Sequence, residues 1–161
     1  MRLYFFEEDA ADPTTQVALR VINADTAAID VRYYPTVGGT PATATTVALG
    51  VASLTKSTYV TAAPAQVRYN VLRAGAAIGS APLFADRIAL IGAAQVTVAP
   101  GPIEALPGTT VAGSAVSAIV FPASVAGTGA PQGAGSATVP AWTSQTITYV
   151  FDRRPPRAAG T

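Results

Sequence analysis

The sequence predicts an all-β fold, a single antiparallel β-sandwich of about eight strands joined by long Pro/Gly-rich loops. Three observations carry this. Apolar and polar residues alternate with period two along most of the chain. The 14 Gly and 13 Pro are spread along its whole length, a density that long helices do not survive. Helical periodicity appears over no convincing window, the best case being a turn around residues 82–87.

Each strand has its own pattern. Val17, Leu19 and Val21 alternate with Ala18 and Arg20 up to Asn23. Ile29, Val31 and Tyr33 face one way and Asp30, Arg32 and Tyr34 the other, until Pro35 ends the strand. After a Gly38-Gly39 turn, residues 43–53 place Val47, Leu49 and Val51 on one face, and residues 57–61 form a short β-branched run. Val67, Tyr69 and Val71 alternate with Arg68, Asn70 and Leu72 before a turn at Ala74-Gly75. Residues 88–98 and 111–121 are two further strands, separated by the proline-rich connector 99–108. Residues 123–140 read as a long small-residue loop, and Ile147, Tyr149 and Phe151 mark the last strand. The organisation is an N-terminal extension (1–13), a sandwich domain (14–152) and an extended basic, Pro-rich tail (153–161).

At 161 residues the chain fits one domain able to bury a core without staples. A net charge of +1 provides no field to steer a polyanion, so nucleic acid is not an expected partner. Without Cys there is no disulfide, thiolate metal ligand or lipidated cysteine. No stretch reaches the roughly 20 apolar residues of a membrane-spanning helix. The opening Met1–Asp9 turns acidic too soon for a signal peptide, so the chain reads as soluble with no export signal in view.

The run Val17-Ala18-Leu19-Arg20-Val21-Ile22-Asn23-Ala24, followed by Ala28-Ile29-Asp30-Val31, resembles a bacterial family of envelope domains catalogued as domain of unknown function 4397. Ala63-Pro64-Ala65 and Val67-Arg68-Tyr69 sit where the family has a short proline turn leading into a tyrosine-arginine strand. The likeness covers roughly residues 15–100. It departs at Asp25-Thr26-Ala27, where members usually carry a proline between the two opening strands. The resemblance implies an immunoglobulin-like sandwich, usually exported, with no assigned chemistry.

The residues themselves point away from catalysis. Without His or Cys, serine-histidine and cysteine-histidine machinery is excluded. Lys56, the single lysine, lies between Ser53 and Ser57 but reads as an edge lysine that discourages sheet-to-sheet pairing. Asp30 is expected to be exposed or paired with Arg32 or Arg20, and Glu104 has no evident partner. A carboxylate enzyme would need two of Asp30, Asp86 and Glu104 to converge. Glu7, Glu8, Asp9 and Asp12 match no calcium-loop spacing. The glycines of residues 127–133 are wrongly spaced for a phosphate loop, and Pro131 interrupts them. No catalytic residue, metal or cofactor is therefore expected.

Three features suit binding. Leu3, Tyr4, Phe5 and Phe6 make an apolar N-terminal patch fit for a groove or a sheet edge. Trp142 after Pro140 has the area of an interface residue, although capping the core is the commoner use of such a Trp. Arg153, Arg154 and Arg157, stiffened by two prolines, suit acidic protein or anionic lipid head groups. The expected function is a non-catalytic structural or interaction module, an accessory subunit docked on a larger bacterial envelope assembly, periplasmic or cell-surface and membrane-extrinsic. One specific version braces a multi-subunit membrane complex such as a photosynthetic reaction centre with its antenna. The alternative is a carbohydrate- or polymer-binding module using Tyr33, Tyr34, Tyr59, Tyr69 and Trp142.

Overall fold

A computed structural model describes residues 12–98, 101–123 and 145–155. Its strands are β1 (Val17–Asn23), β2 (Ile29–Pro35), β3 (Thr45–Val51), β4 (Thr55–Lys56), β5 (Val60–Ala62), β6 (Val67–Arg73), β7 (Arg87–Ile88), β8 (Val96–Val98), β9 (Gly101–Ile103), β10 (Ala115–Phe121) and β11 (Thr146–Arg153). A five-stranded sheet has the order β11-β10-β1-β4, with β5 also paired to β1, and a four-stranded sheet has the order β3-β2-β6-β7. Among the described residues β8 and β9 pair with each other alone, as an antiparallel ribbon. The fold is all-β, with facing sheets that do not close into a barrel.

Alternation explains which side chains meet between the layers. Val17, Leu19 and Val21 of β1 join Val116, Ala118 and Val120 of β10. Opposite them lie Ile29 and Val31 of β2 with Val67, Tyr69 and Val71 of β6, all buried. β-Branched side chains dominate this layer because they pack well on a pleated surface at little rotamer cost.

Four details differ from the sequence reading. First, β1 and β10 run parallel, in register from Ala18 opposite Ala115 to Asn23 opposite Val120, so the five-stranded sheet is mixed. A parallel pair needs a long crossover, and here everything from β2 to β9 supplies it. Second, Leu49 is 59% exposed although Val47 and Val51 are buried. The β2–β3 register shifts twice, and Gly50 adopts a left-handed φ of 62°, so bulges turn Leu49 out of the row. Third, residues 88–98 are not one strand: β7 ends at Ile88 and β8 starts at Val96. Between them the backbones of Gly92 and Gly108 cross, and a Cβ on Gly92 would lie 2.5 Å from the Leu106 carbonyl oxygen. Fourth, residues 82–87 hold no helix; the short helical turn among the described residues is Pro41–Thr43.

Candidate functional site

The side chains facing away from the core make up the chemistry of this domain, and many of them are shielded from water. A sandwich usually solvates its outer faces, yet Arg20, Ser117, Asp30, Arg32 and Asn70 are all buried. On the five-stranded sheet, Arg20 of β1 lies across from Ser117 of β10 in the parallel register and bonds its hydroxyl through Nε. The β10–β11 register shifts between Ala115 and Val116, which leaves Asp152 as the extra residue of a bulge. That bulge aims the Asp152 carboxylate at Arg20 Nη2, 3.1 Å away, and at the Ser117 hydroxyl. Tyr59, just before β5, donates its hydroxyl to Asp152 over 2.8 Å, and its ring lies 4.7 Å from the Arg20 guanidinium carbon. Four segments far apart in sequence thus converge on one ion pair.

On the four-stranded sheet, Asp30 accepts the N–H of Gly50 at 2.7 Å and of Gly75 at 3.0 Å, tying two turns to β2. Arg32 approaches Asp30 only at 4.0 Å. Asp86 takes the Tyr34 hydroxyl at 2.7 Å and Asn70 Nδ2 at 3.0 Å. At one end, the buried Asp25 carboxylate pairs with Arg73 at 2.7 Å, and Asn23 spends both amide hydrogens on the carbonyls of Ala27 and Val51. Asp30 is therefore buried, contrary to the exposure expected of it, because its lone pairs cap two turns.

These networks leave little reactive chemistry. Burial, helped by the bond to Asp86, pushes the Tyr34 hydroxyl up to about 12. Burial likewise raises Tyr59, Tyr69 and Tyr149 above the usual phenol range, so none supplies a phenolate near neutral pH. Tyr34 and Tyr69 are buried, while Tyr33 and Tyr59 are half-buried. These four tyrosines therefore form no exposed aromatic platform, and Trp142, the fifth candidate, lies outside the described residues. Asp30 and Asp86 are held by N–H and O–H donors, while Glu104 is exposed directly after β9. Among the described residues no three acidic side chains gather to hold a metal ion, and no helix is long and apolar enough to cross a membrane.

The ribbon is the other distinctive surface. Val96 is 50% exposed and lies opposite Ile103 at 56%; Val98 on the same face is 46% exposed. Ile91 and Leu106 at its base are exposed too. Arg154 stands beside it, with Nη1 4.0 Å from Glu104 and its guanidinium 5.4 Å from the centre of the exposed Phe151 ring. Glu104 thus has a partner that the sequence did not suggest. Arg153 pairs with Asp12 at 3.3 Å. The chain matches no family model, no curated protein and no solved structure.

Of the binding residues read from the sequence, Arg153 and Arg154 fall in the described part, at the end of β11 and beside the ribbon. Leu3, Tyr4, Phe5, Phe6, Trp142 and Arg157 lie outside the described residues. The sequence hides the ribbon because residues 88–98 form one apolar run that predicts a single core strand, with Val96 and Val98 at its end. The signal available was Gly92, a residue suited to a close backbone crossing, placed in the middle of that run. Lys56 does occupy an edge strand, β4, as its sequence setting indicated.

Proposed function

We propose that this domain is a non-catalytic interaction module, an accessory subunit held on a larger bacterial envelope assembly by another protein subunit that covers the β8–β9 ribbon and the adjoining end of β11. The observation that carries the reading is the ribbon's uncovered apolar face. A lone two-stranded ribbon is marginal in water, and a row of half-exposed Val and Ile side chains suits contact with a second protein. Covering Val96, Val98 and Ile103 contributes roughly 3 kcal/mol in total, since each has about half of its area still to bury, and this is about a hundredfold in Kd. Arg154 and Glu104 supply a polar rim beside that patch. The internal saturation of the carboxylates supports a structural rather than catalytic role. The envelope setting, periplasmic or cell-surface and membrane-extrinsic, rests on the resemblance of residues 15–100 alone.

Affinity capture of the tagged protein from gently solubilised native membranes, followed by chemical cross-linking, tests this. A defined protein partner, cross-linked near residues 96–106 and lost with the double variant Val96→Asp/Ile103→Asp, is the expected result. Recovery of the protein alone and monomeric, or retention of the partner by a folded double variant, refutes it.

A further inference from the structure

We infer that β11 is a dimerisation edge, pairing antiparallel with β11 of a second copy of this chain and joining the two five-stranded sheets into one. The inference goes beyond the docking of the ribbon on another protein, which it neither needs nor replaces. Among the described residues no strand lies beyond β11, so one side of its eight-residue backbone has no sheet neighbour. The other sheet edges carry devices that oppose such pairing. β4 and β7 are two residues long, β4 holds Lys56, and β3 is broken by two register shifts and by Gly50. β11 has no Pro, Gly or Lys, and residues 146–151 are uncharged.

The core-facing row of β11 is also incomplete. Ile147, Tyr149 and Phe151 stand opposite Val120, Ala118 and Val116, which are buried in the core. Residues opposite each other share a face, so all three project between the sheets. Yet Ile147 and Tyr149 are only half-buried, and Phe151 is 46% exposed. The facing sheet ends in β7, too short to cover them. A second β11 supplies what is missing. With a two-fold axis through Tyr149, antiparallel pairing sets Ile147 of one copy against Phe151 of the other and the two Tyr149 side by side. Aromatic–aromatic and aromatic–β-branched pairs of this kind stabilise antiparallel strands. Thr148 meets Val150 on the outer face, while Asp152 and Arg153 fall beside Thr146 and Gln145, so no like charges oppose each other along the strands. Moving the axis by one residue breaks the match, setting Phe151 against Gln145 or Ile147 against Arg153. The strand is thus complementary to itself, as a two-fold interface requires.

The test is sedimentation velocity on the purified protein over a range of concentrations, with two double variants on the exposed outer side of β11. Thr148→Lys/Val150→Lys places Lys opposite Lys in this register, and Thr148→Glu/Val150→Lys places Glu opposite Lys. The wild type is expected to dimerise in the micromolar range, since a one-strand contact is at the small end of specific interfaces. The Lys/Lys variant is expected to weaken the dimer at least tenfold and the Glu/Lys variant to retain it. The ribbon variant Val96→Asp/Ile103→Asp is expected to dimerise as the wild type does. Should a charged variant fail to fold by circular dichroism, single cysteines give the answer, because the native chain has none. Thr148→Cys mixed with Val150→Cys is expected to cross-link on mild oxidation faster than either variant alone. A wild type that stays monomeric at every concentration overturns the pairing. So does a folded Lys/Lys variant that dimerises equally, a folded Glu/Lys or ribbon variant that does not dimerise, or a mixed cysteine pair with no advantage.

Discussion

The ion pair between β1 and the β11 bulge sets a prediction that follows directly from its geometry. Asp152→Asn keeps the size of the side chain but removes the charge facing Arg20, whose side chain is 1% exposed against 10% for Asp152. Breaking a buried ion pair from one side costs about 3–5 kcal/mol. The lower end applies here, because Arg20 keeps the Ser117 hydroxyl and the Tyr59 ring. A loss of about 3 kcal/mol in a domain of this size lowers Tm by roughly 6–12 °C. Urea denaturation followed by circular dichroism gives the free energy, and a cycle with Arg20→Met isolates the coupling. The double variant is expected to recover much of the loss, since it leaves no buried charge without its counter-ion. An Asp152→Asn loss below about 1 kcal/mol, or a coupling under about 0.5 kcal/mol, refutes the reasoning.

Three further outcomes follow from other parts of the fold. Gly92→Ala pushes a methyl group to 2.5 Å from the Leu106 carbonyl oxygen and 2.8 Å from the Gly108 nitrogen, and is expected to cost about 1–3 kcal/mol in urea melts. Gly101→Ala, with no atom within 4 Å of its new Cβ, is expected to stay within about 0.5 kcal/mol of the wild type. Tyr34 is raised to about 12 in the folded protein against 10.0 unfolded, so its contribution is complete below pH 10 and fades as pH climbs towards 12. Tyr34→Phe is expected to flatten that part of the stability–pH curve, and phenolate absorbance near 295 nm reports the titration directly.

Much of the sandwich was legible in the sequence because alternation is a local property. β1, β2 and β6 each announce themselves by an apolar residue at every second position, and burial follows; β11 alternates too, but Ile147 and Tyr149 are only half-buried and Phe151 is exposed. What alternation does not report is what covers the second face. Arg20, Asp30, Arg32 and Asn70 sit at positions a period-two pattern assigns to water, and their burial depends on partners such as Asp152, 132 residues from Arg20. Bulges are invisible for a related reason: one extra residue at Asp152 or around Leu49 re-aims a side chain without changing the composition of its run. The ribbon was hidden because an apolar run reads the same whether its face meets a core or the solvent. Among the candidate binding residues, Arg154 was found from composition, whereas the aliphatic side chains beside it required the tertiary path of the chain.

The parallel pairing of β1 with β10 also governs the order of assembly during synthesis. Ser117 leaves the ribosome 97 residues after its neighbour Arg20. At translation rates of about 5–20 residues per second, the first strand waits roughly 5–20 s with one hydrogen-bonding edge unmet. Nascent chains halted before residue 115 should therefore be susceptible to proteases and dependent on chaperones, and the domain should acquire its resistance in a single late step.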